Sequence, residues 1–284
     1  MRPLPLEWAR WRIMYTSRSP YLRPARLMAA YAGRIRPPDF LIIGTERGGT
    51  SSLYSYLLTE KSARIVGALR KEIHFFDQNY TKGWTWYLAH FPVRNDDILS
   101  GEASPHYYFF EEAAERVARV LPNASVIILL RNPIDRAYSH YQHEVELGYE
   151  KMSFEDAISR EFNMSNGDWR RKNLRANGTS QYVHFSYLSK GLYVEQMKWW
   201  LERIPRERFL ILKSESFFNN PGQVLSEVLQ FLKLPPTDRS AFTKYNEGHY
   251  GPMGQEMRSR LKAFYEPYNR QLSELLRMDL RDWV

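Results

Sequence analysis

The sequence predicts an α/β fold in which a central, mainly parallel sheet is flanked by helices. Two observations lead to this prediction. Short apolar runs of strand length recur along the chain, and segments with helical periodicity lie between them. The runs are continuously apolar rather than alternating, which is typical of strands that are buried on both faces. A length of 284 residues allows one large domain with a sizeable core.

Three apolar runs are predicted to form buried strands: residues 40–43, 126–130 and 209–212. A glycine-containing turn and a helix over 51–58 follow the first run. Asn132, a good N-cap residue, and Pro133, whose fixed φ suits the first turn of a helix, follow the second run. This helix is predicted to extend to about Gly148.

The remaining predicted elements continue the alternation. Helices are expected at 194–203 and 222–232, on either side of the third strand, and a C-terminal helix is expected from about Pro252. Residues 163–190 are polar and rich in asparagine, glycine and arginine, so we expect a long loop there.

Positive charge is concentrated at the N-terminus. The whole chain has a net charge of +8, and residues 1–36 alone, with eight arginines, no lysine and one acid, Glu7, account for +7. The other 248 residues carry 32 basic and 31 acidic side chains. Because the body of the protein is electrically balanced, nucleic-acid binding is not predicted in spite of the overall basicity.

We therefore divide the chain into a basic N-terminal arm, residues 1–37, and a main domain, residues 38–284. Within the arm, four apolar side chains follow helical spacing: Leu4, Trp8, Trp11 and Tyr15. Three interpretations of the arm are open. The apolar stripe could pack on the main domain, as such stripes usually do, it could contact an anionic membrane surface peripherally, or the arm could be an arginine-rich transit peptide.

Several classes of protein are excluded by composition. The chain has no cysteine, which excludes a disulfide scaffold, a Cys-ligated metal site and a thiol nucleophile. No apolar run approaches the roughly 20 residues that a membrane span needs. No apolar segment typical of a signal peptide follows the N-terminal charges. We expect a cytoplasmic protein, with a peripheral membrane association through residues 1–36 as an alternative.

A candidate anion-binding loop follows the first predicted strand. Gly44 and Gly49 have the spacing of a phosphate-binding loop, in which glycines let backbone N–H groups approach an anion. Thr50 stands where a kinase-type loop needs lysine, and the cation is instead Arg47. The second predicted strand ends in Arg131 rather than in the metal-binding aspartate of an ATPase. The sequence thus indicates a P-loop-like three-layer fold that binds phosphates through cations.

Arg131 and Ser139 form a second candidate anion site. Arg131 leaves the tip of the second strand, and Ser139 lies two helical turns further on. An arginine and a hydroxyl group can hold a phosphate through charge-assisted hydrogen bonds. Because the carboxyl ends of parallel strands lie at one edge of a sheet, the two sites together indicate a nucleotide that carries phosphates at two positions.

These motifs resemble the 5′-phosphosulfate and 3′-phosphate motifs of sulfotransferases that use 3′-phosphoadenosine 5′-phosphosulfate (PAPS). The closest likeness is to the carbohydrate branch, the heparan sulfate glucosamine 3-O- and N-sulfotransferases and their bacterial relatives. It covers roughly residues 38–284 and extends, in the family's order, through segments 71–77, 80–87, 101–107, 191–193 and 265–269. Each motif alone is weakly specific, whereas their order along the chain is a strong signal.

On the donor side, the resemblance implies two groups of binding residues. The 3′-phosphate would be held by Arg131 and Ser139. The 5′-phosphosulfate would be held by Gly48, Gly49, Thr50, Ser51 and Ser52. Arg47 falls where the family usually has a loop lysine, and an arginine is not equivalent to a lysine at such a site.

On the acceptor side, Glu72 matches the position of the general base in this branch. His74 lies beside it and is a further catalytic candidate, as is Arg47. The acceptor site would be lined by Asp77, His106 and Tyr107. Ala103 stands where the family often has a lysine, so the main cation at the transferring group is an open question. No metal is implied.

We therefore predict a PAPS-dependent sulfotransferase that leaves 3′-phosphoadenosine 5′-phosphate (PAP) as product. Its acceptor is predicted to be a hydroxyl group of a saccharide or glycoconjugate, with an amino group as the variant. In-line displacement depends on positioning and electrostatic stabilisation, so no metal is needed if Arg47 and the loop amides carry the developing charge. Two alternatives are a P-loop nucleotide kinase and a non-catalytic, PAP-binding pseudo-sulfotransferase.

Overall fold

A parallel sheet of five strands forms the centre of the fold. The computed structural model describes residues 24–60, 63–165, 184–243 and 250–283. Within these residues the spatial order of the strands is β2-β3-β1-β4-β5, and all four pairings are parallel. The strands are β1 (Phe40–Gly44), β2 (Ile65–Gly67), β3 (Leu99–Ala103), β4 (Ser125–Leu130) and β5 (Phe209–Lys213). The predicted fold class is confirmed.

Helices connect the strands and cover both faces of the sheet. In the described part of the chain they are α1 (Pro24–Tyr31), α2 (Thr50–Leu58), α3 (Trp84–Leu88), α4 (Glu111–Val120), α5 (Pro133–Glu146), α6 (Phe154–Ser165), α7 (Tyr193–Arg203), α8 (Ser214–Asn219), α9 (Pro221–Phe231) and α10 (Gln255–Leu276). None of these helices combines the length and the apolar character that a membrane crossing requires.

Strand β1, at the centre of the sheet, is apolar at every position because both of its faces are buried. In β1, Leu41 and Ile43 join a core with residues of α4 and α7, whereas Phe40 and Ile42 join a second core with residues of α2 and α9. Successive side chains of a strand point to opposite faces, so a sheet covered on both sides needs apolar residues throughout. Each fully buried side chain of this size contributes about 1.5–3 kcal/mol.

The predicted elements that follow the apolar runs are present in the structure. Asn132 caps α5, because its side-chain Oδ1 accepts a hydrogen bond of 3.0 Å from the N–H of Ile134. The sequence analysis missed two strands, β2 and β3, and five helices, α1, α3, α4, α6 and α8. Helix α6 extends to Ser165, so the predicted start of the loop, residue 163, is too early. Residues 166–183 of that predicted loop lie outside the described residues.

Part of the basic arm packs on the main domain. Ala30 of α1 is buried in the core, and Ile35 forms an antiparallel bridge with Val93. Arg26 donates from Nε to the carbonyl of Ala89 at 2.8 Å. The four apolar side chains with helical spacing, between residues 4 and 15, lie outside the described residues. The three interpretations of the arm therefore stay predictions.

The carboxyl ends of the strands position the candidate site. Arg47 follows β1, Glu72 follows β2, His106 follows β3 and Arg131 follows β4. Strand β1 has β3 on one side and β4 on the other, so the chain changes direction across the sheet at this strand. In open α/β sheets, ligands bind outside the carboxyl ends of the strands at such a point.

Candidate active site

Residues 45–49 form a tight loop between β1 and α2. The backbone N–H and the Oγ1 of Thr45 both donate to the carbonyl of Leu129, each at 2.9 Å. A Cβ atom on Gly48 would lie 2.7 Å from that same carbonyl oxygen, so the loop has no room for a side chain there. Gly49 has a φ of 94° and precedes α2 without a side chain that could cap it. The first N–H groups of a helix that begins in this way are suitable donors for an anion.

Arg47 and Ser139, predicted for two different phosphate sites, contact each other. Arg47 donates from Nε to the Oγ of the buried Ser139 at 3.0 Å. Arg131 donates from Nη1 to the carbonyl of Arg47 at 2.9 Å, and Tyr193 donates from its hydroxyl to the carbonyl of Arg131 at 2.9 Å. Burial lowers the pKa of Arg47, yet a guanidinium stays protonated in proteins. The two predicted anion sites therefore adjoin.

Glu72, His74 and Asp77 come together after β2. The carboxylate of Glu72 forms an ion pair with the ammonium of Lys71, which the sequence analysis did not single out. His74 Nε2 lies 3.8 Å from Glu72 Oε2, and His74 Nδ1 lies 2.8 Å from Asp77 Oδ2. Glu72 and His74 have φ values of 58° and 53°. Such values are uncommon outside glycine, and residues that adopt them cluster at functional sites.

The protonation states of this group follow from their neighbours. Burial alone would raise the pKa of Glu72, but the positive charges of Lys71 and His74 hold it below its usual range. Burial opposes a charged His74, but the hydrogen bond to Asp77 and the nearby negative charge of Glu72 raise its pKa to about 10. At neutral pH, Glu72 is therefore a carboxylate that can accept a proton, and His74 is an imidazolium that cannot. The Glu72 side chain is 41% exposed and accessible to an acceptor.

His106 connects this group to the loop after β1. Its ring centroid lies 5.1 Å from that of His74, and its Nε2 lies 3.2 Å from Glu46 Oε1. Lys190 lies on the other side, with its Nζ 2.5 Å from Glu46 Oε2. The sequence analysis missed both Glu46 and Lys190. An acid inside a phosphate-type loop is a visible signal, whereas no motif marks Lys190.

Unlike His106, the predicted acceptor residue Tyr107 lies inside the protein. Its side chain is 0% exposed. Its hydroxyl donates to Glu102 Oε1 at 3.1 Å and accepts from the N–H of Phe75 at 2.8 Å. Glu102 also accepts from Tyr87 Oη at 2.7 Å and from Ser104 Oγ at 2.8 Å. Burial raises the pKa of Glu102 to about 7 in spite of these donors.

Two groups of side chains in the described ranges have the spacing of metal ligands. Their ligand atoms lie within 4.8 Å of one another: His74, Asp77 and His106 in one group, and Glu46, His140 and Glu144 in the other. In the first group a direct hydrogen bond already joins His74 to Asp77. In the second group Lys190 already contacts Glu46. The metal-free site expected from the sequence stays a prediction.

A family model of the sulfotransferase domain matches residues 37–250. The chain belongs to the sulfotransferase family. The resemblance inferred from the motifs is thereby confirmed, and the curated relatives include sulfotransferases that act on heparan sulfate. A sulfotransferase of known structure from Alicyclobacillus acidocaldarius superposes with a TM-score of 0.71 and 27% identity, covering 88% of this chain and 99% of that one.

Three sulfotransferase relatives show how far the similarity extends. The membrane-associated sulfotransferase kil1 of Dictyostelium discoideum is 27% identical, over 86% of this chain and 66% of its own length. Mouse bifunctional heparan sulfate N-deacetylase/N-sulfotransferase 4 is 30% identical, over 84% of this chain but 30% of its own length. Human heparan sulfate glucosamine 3-O-sulfotransferase 6 is 26% identical, over 90% of this chain and 77% of its own length. The chain thus spans less than two thirds of the first two sulfotransferases.

Proposed function

We propose that this protein transfers a sulfuryl group from PAPS to a hydroxyl group of a saccharide or glycoconjugate, with an amino group as the variant acceptor. The observation that carries the proposal is the contact of Arg47 with Ser139 and Arg131. It joins two anion sites at adjacent strand ends, within reach of one nucleotide with phosphates at its 3′ and 5′ positions. Membership of the family supports sulfuryl transfer, and the heparan sulfate relatives support a saccharide acceptor.

The residues of the loop and of α5 fit an anionic donor. The lack of space at Gly48 and the positive φ of Gly49 keep the backbone N–H groups close to the ligand position. We propose that these glycines, with Thr50, Ser51 and Ser52, hold the 5′-phosphosulfate, and that Arg131 and Ser139 hold the 3′-phosphate. PAPS, when bound, supplies an activated sulfuryl group. Arg47 is placed to stabilise negative charge on the departing phosphate oxygen.

Glu72 is the proposed general base. It takes the proton of the acceptor hydroxyl while the acceptor oxygen forms a bond to sulfur, and the sulfur–oxygen bond to the phosphate breaks with its electrons leaving on PAP. His74, kept protonated by Asp77 and Glu72, orients the carboxylate and places positive charge beside it. His106 completes this wall of the acceptor site, whereas Asp77, whose side chain is only 1% exposed, acts through its hydrogen bond to His74. Tyr107 is assigned a supporting role from inside the protein, because its side chain is fully buried.

A ligand titration followed by a transfer assay tests the proposal. PAP is expected to raise the melting temperature more than 5′-AMP or Mg²⁺–ATP, because a ligand that binds the folded state stabilises it. Transfer of labelled sulfuryl from PAPS is then measured with hydroxyl- and amino-bearing saccharides. Binding of PAP without transfer to any of them would favour the pseudo-sulfotransferase, and a larger shift with Mg²⁺–ATP would favour the kinase.

The location of the protein is a separate proposal. A relative described as membrane-associated supports peripheral membrane contact through residues 1–36. Liposome co-sedimentation of the full chain and of a chain without residues 1–23, which keeps the packed helix α1, tests this contact. Equal binding by the two chains would contradict it. A cytoplasmic location stays a prediction from the sequence.

A further inference from the structure

A carboxylate stands inside the proposed anion-binding loop. Glu46 directly precedes Arg47, and its side chain is 16% exposed. A phosphosulfate bound by this loop would bring further negative charge close to Glu46. Like charges repel strongly in a region from which water is largely excluded. An anion site with an acid in its loop therefore needs a nearby positive charge that neutralises the acid.

Lys190 supplies the opposite charge. Its Nζ lies 2.5 Å from Glu46 Oε2, and its side chain is 4% exposed. His106 Nε2 lies 3.2 Å from the other carboxylate oxygen, Oε1. Burial alone would raise the pKa of Glu46, but His140, Lys190 and His106 hold it well below its usual range. Glu46 is therefore ionised. Burial lowers the pKa of Lys190, and the negative charge of Glu46 opposes that shift.

The turn that carries Lys190 is itself held in place. Glu161 accepts hydrogen bonds from the N–H groups of Leu188 and Ser189, at 2.7 and 2.9 Å. Tyr265 donates from its hydroxyl to the carbonyl of Leu188 at 2.9 Å. A long lysine side chain loses conformational entropy when it is fixed, and a rigid backbone beneath it limits the further loss. The backbone that carries Lys190 is thus fixed, and its ammonium is held next to Glu46.

We propose that Lys190 is a positioning residue of the donor site, whose ammonium neutralises Glu46 and so keeps the 45–49 loop able to bind an anion. The inference rests on the proposed function, because it takes this loop as the phosphosulfate site. Without Lys190, Glu46 becomes a buried carboxylate that lacks its main counter-charge. It then repels the donor and competes with the donor for the guanidinium of Arg47.

A metal ion is the competing counter-charge for Glu46. His140 Nε2 lies 3.7 Å from Glu46 Oε2 and 3.5 Å from Glu144 Oε1, and both ring nitrogens of His140 are buried without a hydrogen-bond partner. A divalent cation at these three side chains would replace Lys190 in its proposed role. The experiment therefore includes a measurement of PAP binding after EDTA has removed any bound metal.

A double-mutant cycle with PAP as the probe tests the inference. PAP affinity is measured by calorimetry at one salt concentration for the wild type, Lys190→Met, Glu46→Gln and the double variant. Lys190→Met is expected to weaken PAP binding about tenfold or more, because one partner of a buried ion pair is lost. The double variant is expected to return to within about threefold of Glu46→Gln, since the unpaired carboxylate is gone. A lysine with a merely structural role would leave the double variant as weak as Lys190→Met.

Two further measurements keep the test decisive if Lys190→Met does not fold. Glu46→Gln alone is expected to bind PAP as tightly as the wild type or more tightly, because a negative charge leaves the loop. Lys198→Met, which removes an exposed lysine of α7, is the matched control and is expected to leave PAP affinity unchanged.

Besides a double variant as weak as Lys190→Met, three outcomes would overturn the role of Lys190. They are unchanged PAP affinity in Lys190→Met, at least tenfold weaker binding in Glu46→Gln, and loss of wild-type PAP binding when EDTA removes a metal. Failure of the untreated wild type to bind PAP would instead overturn the proposed function, so the two failures are distinguishable.

Discussion

Arg47 donates a hydrogen bond of 3.0 Å to the hydroxyl of Ser139, a residue 92 positions away in the sequence. The sequence analysis placed Arg47 at the 5′ side and Ser139 at the 3′ side of the donor. Because the two side chains are in contact, a substitution at either residue is expected to affect binding at both predicted phosphate sites.

Ser139→Ala is expected to weaken the binding of both PAP and 5′-AMP about three- to tenfold, because a hydrogen bond to a charged group is lost and Arg47 becomes less well oriented. Calorimetric titration with both nucleotides measures this effect. Ser259→Ala, on the exposed side of α10, is the control. Weakening of PAP alone, with 5′-AMP unchanged, would show that Ser139 acts on the 3′-phosphate and not through Arg47.

Gly48→Ala is expected to abolish tight PAP binding and to lower the melting temperature. The new Cβ would lie 2.7 Å from the Leu129 carbonyl and 2.9 Å from the Thr45 carbonyl, so the loop backbone would have to move. Overpacking of this kind costs about 1–3 kcal/mol.

Gly222→Ala in α9 is the matched control for the loop glycine. Its Cβ would make an ordinary contact of 3.4 Å with the Phe242 ring, and we expect no loss of PAP binding and no loss of stability. Wild-type PAP affinity in Gly48→Ala would contradict the anion-binding role of the loop.

Glu72→Gln is expected to lower kcat about 10²- to 10⁴-fold while the affinity for PAP stays the same, because the amide cannot take the acceptor proton. Turnover and PAP binding are measured on the same preparation. Glu115→Gln, at an exposed position of α4, is the control. Since its neighbours hold the pKa of Glu72 below the usual range, the wild type should not lose activity through protonation of this group between pH 5 and 7. Near-wild-type turnover in Glu72→Gln would exclude it as the base.

His74 is expected to make stability fall at alkaline pH. Its pKa rises from 6.5 to about 10 on folding, because the hydrogen bond to Asp77 and the negative charge of Glu72 outweigh burial. The folded state therefore holds a proton that the unfolded chain releases. The contribution is complete below pH 6.5 and disappears as the pH rises through 10.

Melting temperatures measured from pH 6 to 10 test the role of His74. The wild type is expected to lose more stability over this range than His74→Asn, by up to a few kcal/mol on the scale of about 1.4 kcal/mol per pKa unit. In His143→Asn, the control, the pH dependence of the wild type should persist, since burial lowers the pKa of His143 instead of raising it. Parallel curves for the wild type and His74→Asn would contradict the assignment.

Tyr107→Phe is expected to cost about 1–3 kcal/mol of stability, because it leaves the buried N–H of Phe75 unpaired and removes a donor from Glu102. The KM for the acceptor should stay within about twofold, in contrast to the direct contact that the sequence resemblance implied. Denaturant unfolding and steady-state kinetics measure the two effects, with exposed Tyr149→Phe as the control. A raised KM without any loss of stability would restore Tyr107 to the acceptor site.

Local patterns were sufficient for strands β1, β4 and β5 and for the loop after β1. The apolar runs of β1, β4 and β5 are continuous because both faces are covered, and the cap at Asn132 depends on residues two positions apart. Strand β3 was missed because it contains Ser100 and Glu102, both buried. The partners that satisfy Glu102 come from a separate helix and from the turn that follows β3, so no apolar pattern marks this strand.

The sequence by itself determined the α/β class, the order of the motifs and the residue types around the proposed donor and base. The tertiary structure alone decided which of these residues meet. The Lys190–Glu46 pair spans 144 positions and the Arg47–Ser139 bond spans 92. The charge states of Glu72 and His74 depend in the same way on distances and on burial. Coulomb energies vary with separation and with the local dielectric, and neither quantity is encoded in a local pattern of residues.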